Sequence, residues 1–94
     1  MAFGMFVRAK RKELGIGLND FAYRIGISPA YWSRVERESE NPPRDDLIEK
    51  SAAIIGVRVD ILFVEAKRFP PDMRQDIGKV VHAYRRLRSI EGKG

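Results

Sequence analysis

The sequence has 94 residues, 44% of them hydrophobic and 33% charged, which suits one soluble folded domain and argues against disorder. Cysteine is absent, so disulfides and thiolate metal sites are excluded, and a single histidine (His82) leaves little from which to build a zinc site or a Ser-His-Asp triad. Lys+Arg 18 against Asp+Glu 13 gives a net charge of +5, which points to a polyanionic partner.

No apolar stretch is long enough to cross a bilayer, and the N-terminus places its apolar residues before its basic ones, the reverse of a secretory signal. A cytoplasmic protein is expected, with no cofactor, no metal and no membrane partner. No segment alternates with period two, so the spacing predicts an all-α fold of six helices. The first runs from Phe3 to Leu14. The second covers Leu18 to Ile25, with Leu18, Phe21, Ala22 and Ile25 along one face. Gly26-Ile27-Ser28 separates it from a third helix, Pro29 to Arg37, which Ser28 caps. Gly26 suits the left-handed turn that ends a helix, and Ile27 seals the corner. A fourth helix covers Arg44 to Ile55 with Leu47, Ile48, Ser51, Ala52 and Ile55 inward. A short fifth covers Val59 to Ala66, and the last runs from Pro71 or Asp72 to Leu87. The pairs Pro42-Pro43 and Pro70-Pro71 are each expected to start a new element, because proline fits a helix best in its first turn.

The short Gly-containing turn between the second and third helices fits a helix-turn-helix and an ordinary αα-corner equally well. The third helix adds a second feature. Trp32, Val35 and Glu36 share one side, while Ala30, Ser33, Arg34 and Arg37 share the other at i, i+3, i+4 and i+7. The first side is bulky and inward. The second is slim and cationic; by itself it fits a plain solvated face, where Arg and Ser are normal, and beside the Gly-containing turn it also suits a major groove. Small residues allow close approach, Arg34 can pair with guanine O6 and N7, and Ser28 with the first-turn N–H groups can meet a phosphate.

At this point the sequence resembles the Xre/Cro, or lambda-repressor-like, helix-turn-helix family. The resemblance runs from Phe3 to Phe63. It rests on Phe3-Gly4, Val7-Arg8, Arg11, Gly15-Ile16-Gly17, Phe21-Ala22, Ile25-Gly26-Ile27-Ser28 and Ser33-Arg34-Val35-Glu36-Arg37, with Leu47 to Gly56-Val57, Val59-Asp60 and Leu62 similar to the family's fourth and fifth helices. It implies a five-helix DNA-binding domain that acts as a homodimer on a palindromic operator in double-stranded DNA, most often as a repressor. It places Ser28 near phosphate, Pro29, Ala30, Ser33 and Arg34 at or near base edges, and Tyr31 and Arg37 at the groove edge. It also implies an internal ion pair between Arg11 and Glu36. The chain departs from the family pattern at three positions. Leu18 replaces a phosphate-binding Gln, so that contact is either lost or passed to Asn19. Gly17 replaces a Ser or Thr cap. Glu38 replaces the Gly that ends the third helix, so this helix is expected to run on toward Asn41.

Charge is uneven along the chain. From Glu36 to Glu49 there are six acids against Arg37 and Arg44. The positive surface is therefore expected from Arg8, Lys10, Lys12, Arg24, Arg34 and Arg37, with Asn41 and Arg44 as further phosphate contacts. The acids from Glu38 onward are expected to face away or to sit at the start of the fourth helix, where its dipole favours them. Residues 1–68 thus form a DNA-binding domain, and 69–94 a further C-terminal helix with a frayed tail beyond Ser89. Met73, Ile77, Val80, Tyr84 and Leu87 recur with heptad-like spacing, as a dimer interface or as packing on the helix's own domain. His82 falls off that seam. A second reading is an antitoxin that binds a toxin or other protein partner and represses its own operon. An enzyme is not expected, because the sequence holds no nucleophile-base pair, phosphate loop or metal cluster.

Overall fold

The apolar periodicity becomes helix in the computed structural model, which describes residues 2–74, 78–79 and 81–86. The elements are α1 (Phe3–Glu13), α2 (Leu18–Ile25), α3 (Pro29–Glu36), α4 (Asp45–Ile55), α5 (Val59–Glu65) and a short α6 (Pro71–Arg74). Residues 78–79 and 81–86 are also helical and exposed. Among the described residues there is no strand, so the fold is all-α. Ile77, Val80 and Leu87 of the expected seam, and the tail beyond Ser89, lie outside the described residues.

Trp32 on α3 is fully buried. Its ring stacks on Phe21 with centroids 5.0 Å apart and meets Phe3 edge-on at 6.3 Å. Such aromatic pairs add about 0.5–1.5 kcal/mol beyond the area they bury. Val7, Ile25, Val35, Leu47, Ile48, Ala52, Leu62 and Phe63 also lie in the core, so each of α1 to α5 contributes to it. The α2 stripe packs as its spacing requires: Phe21, Ala22 and Ile25 are buried, and Leu18 covers their edge. α1 passes very close to α3 at Gly4. A Cβ there would overlap the Val35 carbonyl oxygen and lie 3.1 Å from Glu36 Cα.

Helix ends follow local chemistry. α2 stops at Gly26, whose φ of 81° lets the Ile27 N–H return to the Ala22 carbonyl at 3.0 Å. The next helix starts at once. Ser28 Oγ accepts the Tyr31 N–H at 3.1 Å, and Pro29 occupies the first turn. Ile27 packs against the core edge and closes the corner.

Two expectations are corrected. α3 does not run on toward Asn41. It ends at Glu36, and Glu38 itself takes the left-handed conformation with φ 62°. The Ser39 N–H then caps the Arg34 carbonyl at 3.0 Å, and the Met5 N–H donates to the Glu38 carboxylate at 3.3 Å, so the bonds of the turn offset its strain. Pro42-Pro43 does not start α4, which begins at Asp45 with Arg44 as the flanking cap residue. Instead the Arg68 guanidinium donates to the Pro43 and Pro42 carbonyls at 2.5 and 2.7 Å. A proline pair leaves two carbonyls without helical partners, and a cation from the far end of the domain satisfies both. α6, which starts at Pro71 as the proline pair there suggested, is tied to its own domain at its first turn. Arg74 forms a bidentate pair with Asp45 at 2.5 and 3.0 Å, and Arg74, with Arg68 behind it, holds the Asp45 carboxyl below the usual carboxylate range.

Ser51 sits inward on α4 as expected, but among the described residues its fully buried hydroxyl has no hydrogen-bond partner. A buried donor without a partner costs about 1–3 kcal/mol. Ser51→Ala should therefore stabilise the protein by about 1 kcal/mol, read as a raised urea midpoint at unchanged slope. A lowered midpoint would show that the hydroxyl is satisfied.

Candidate nucleic-acid interface

The two sides of α3 separate cleanly. Trp32, Val35 and Glu36 are buried, Ala30, Arg34 and Arg37 are exposed, and Pro29, Tyr31 and Ser33 are half-buried. The inward carboxylate of Glu36 is what anchors the helix. Arg11 from α1 donates Nε and Nη2 to its two oxygens, each at 2.8 Å, and Trp32 Nε1 donates to Oε2 at 2.7 Å. Arg11 Nη1 goes on to the Ile16 carbonyl at 2.8 Å, in the loop that leads into α2. One carboxylate thus joins α1 and α3, and its arginine partner extends the network to the entry of α2. The pairing raises the Arg11 guanidinium above its ordinary value despite burial, so it stays charged.

Above this pair lies a shallow depression of about 140 Å³, lined by Arg8, Leu18, Ser33 and Arg37 with Arg11 and Glu36 at its floor. It brings together the exposed face of α3, the start of α2 and a cation from α1. Leu18 supplies no polar group, and Gly17 ahead of it makes no side-chain cap. Polar contact there falls to Arg8, Ser33 and Arg37, with Asn19 exposed one position further along α2. Arg8 belongs in this group although the helical spacing of α3 alone does not reach it. Only the crossing of α1 over α3 places it there.

The remaining cations are partly engaged. Arg24 pairs with Asp20 at 2.8 Å, Lys10 with Glu13 at 3.5 Å and Arg44 with Asp46 at 2.7 Å. Among the described residues, Arg8, Lys12 and Arg37 make no ion pair, and Arg37 donates Nε to the Ser33 carbonyl at 3.3 Å. Asn41 lies apart from these groups. It lines a different cleft of about 350 Å³ together with Glu38, Glu40 and Lys67.

One acid does not face away as its place in the sequence suggested. Glu40 Oε1 accepts from Arg34 Nε at 3.3 Å, and the Arg34 guanidinium carbon lies 6.0 Å from the Tyr31 ring centre. The Glu40 contact depends on the left-handed turn at Glu38, and helical spacing within α3 gives no sign of it. Of the expected seam on the last helix, Met73 and Tyr84 are exposed. His82 is exposed as well. Among the described residues no group of His, Cys, Asp and Glu could hold a metal ion, and no helix is long and apolar enough to cross a membrane.

No protein-family model matches the sequence. The chain is similar to the HTH-type transcriptional regulator SinR of Bacillus subtilis, with 32% identity over 62 residues that cover 66% of this chain and 56% of that protein. An uncharacterised HTH-type transcriptional regulator of Mycobacterium tuberculosis shows 31% identity over 68 residues, covering 72% of this chain and 48% of the relative. The chain thus spans about half the length of these relatives. The crystal structure of SinR in complex with DNA superposes with a TM-score of 0.59 at 31% identity, over 65% of this chain and 97% of that one.

Proposed function

Because the chain belongs to the Xre/Cro, or lambda-repressor-like, helix-turn-helix family, we propose that it is a sequence-specific DNA-binding transcriptional regulator that represses by occupying its operator. The observation that carries the reading is the division of α3. Its bulky side is locked by Trp32 and Glu36, and its slim side presents Ala30, Ser33, Arg34 and Arg37 outward. That face enters the major groove. Arg34 reads guanine, while Pro29, Ala30 and Ser33 lie at or near base edges. Tyr31 and Arg37 lie at the groove edge. Ser28, whose hydroxyl is engaged as the helix cap, faces phosphate through the first turn of α3, and Asn19 does so from α2. Arg8 and Arg37 flank the depression beside Ser33 and neutralise a phosphate there. Asn41 and Arg44 serve as outlying backbone contacts.

In this reading residues 1–68 bind DNA, and residues 69–94 bring two copies together. Met73 and Tyr84 form part of a two-fold seam that sets the half-site spacing. The Arg74–Asp45 pair fixes where that helix leaves the domain.

Selection of bound duplexes from a random pool tests the proposal. A palindromic motif is expected, with binding that weakens by about 0.9 in log K per neutralised phosphate as log salt rises. Arg34→Ala is expected to cost about 1–3 kcal/mol on the selected operator and to relax preference at one base pair per half-site. Salt-sensitive binding without a motif, or full operator affinity in the alanine variant, contradicts the reading.

A further inference from the structure

The turn after α3 contains two acids, and the backbone sends them in different directions. Glu38, in the left-handed conformation, directs its carboxylate to the first turn of α1. Ser39 follows, with its N–H and its Oγ both donating to the Arg34 carbonyl at 3.0 and 3.2 Å. Those two bonds fix the direction in which the chain leaves the helix, and they place Glu40 against Arg34 Nε at 3.3 Å. The same guanidinium lies 6.0 Å from the centre of the Tyr31 ring. Arg34 is therefore held from the inner side of its fork by a carboxylate and flanked by an aromatic ring.

We infer that Glu40 is a positioning residue for base reading: it orients Arg34 so that its terminal Nη edge meets a guanine and it weakens that arginine's attraction for phosphate. The inference rests on the proposed role of α3. A guanidinium presents its donors in a rigid fork, and guanine O6 and N7 accept two of them side by side. An untethered arginine samples many rotamers and meets the nearest phosphate as readily as a base. A carboxylate on Nε restricts the side chain while leaving the Nη pair directed outward. Paired with Glu40, the guanidinium also offers less net positive charge to a phosphate, which matters most for binding that lacks sequence information. Glu40 and Arg34 are both exposed, so the pair adds little to folding and its effect falls on discrimination.

The test compares wild type, Glu40→Gln and Glu40→Ala for binding to the operator selected from the random pool and to a scrambled duplex of equal composition. Both variants should melt within a few degrees of wild type. Both should bind the scrambled duplex about 3–10-fold more tightly while operator affinity changes by less than about 3-fold, so that discrimination falls. The salt slope on the scrambled duplex should steepen by about one phosphate contact. Glu40→Ala, which also loses the acceptor, should blur the guanine preference more than Glu40→Gln. In an Arg34→Ala background neither change should alter discrimination. Equal shifts on both duplexes, or the same loss of discrimination without Arg34, would overturn the inference. If Arg34→Ala lowers discrimination and the Glu40 variants do not, this inference alone fails. If the wild type selects no motif, the reading beneath it fails as well.

Discussion

Replacing Glu36 with alanine is expected to destabilise the domain by about 3–5 kcal/mol, the cost of leaving a buried charge without its partner. Glu36 is 2% exposed and Arg11 7%. Three of the four hydrogen bonds in this buried network end on the Glu36 carboxylate: two from Arg11 and one from the Trp32 indole. Without it the Ile16 carbonyl still holds one guanidinium nitrogen, but the rest of the cation and the indole N–H face an apolar core. Glu36→Gln separates charge from shape. It keeps an acceptor for Trp32 but donates toward a guanidinium that can only donate, so a smaller yet clear loss is expected. The double replacement Arg11→Met with Glu36→Leu removes both charges together and should recover a large part of the alanine loss. Urea unfolding of wild type and the three variants supplies the comparison, and the single variants Arg11→Met and Glu36→Leu close the cycle around the double. An alanine variant within about 1 kcal/mol of wild type would mean that solvent reaches Arg11 easily, contrary to its burial.

Gly4→Ala is the second large effect, and its cause is purely steric. The new Cβ overlaps the Val35 carbonyl oxygen and lies 3.1 Å from both the Glu36 Cα and carbonyl oxygen. All three neighbours are backbone atoms of α3, so no side chain can swing aside. Alanine favours helix over glycine by about 1 kcal/mol, which works against the clash. Overpacking against rigid backbone reaches or exceeds the upper end of the usual range of about 1–3 kcal/mol, so a net loss of about 2 kcal/mol or more is expected. For a domain of this size that lowers the melting temperature by on the order of 10 °C. A variant that melts with wild type would mean that α1 and α3 can separate without loss. To relieve the clash α1 has to shift, and Arg8 then moves with it relative to Ser33 and Arg37.

Where one periodicity dominates, the fold was legible in the residues. The stripe on α2, the Ser28 cap and the inward Trp32 each follow from helical spacing and local hydrogen bonding, and each occurs where that spacing places it. Features that join distant parts of the chain were less legible. Arg11 and Glu36 lie 25 residues apart, and the family resemblance pointed to their pairing where spacing could not. Arg68 on the Pro42 and Pro43 carbonyls had no local signal, because the demand comes from backbone groups that every residue carries. The end of α3 was misread for a specific reason. Glutamate is a poor left-handed residue by propensity, but here the Ser39 N–H and a free N–H of α1 supply bonds that outweigh the strain. The partner of Arg34 was hidden by the same turn, since its direction decides where Glu40 goes.

The network beneath α3 also bears on how specificity can change. Trp32 and Glu36 hold the helix from below, while Ala30, Ser33, Arg34 and Arg37 contribute nothing to the buried cluster. Under the proposed reading, recognition is a replaceable veneer on a fixed mount. Outward side chains can be transplanted from another operator-binding helix of the same family while the mount stays intact, and new target sequences become reachable without redesigning the interior.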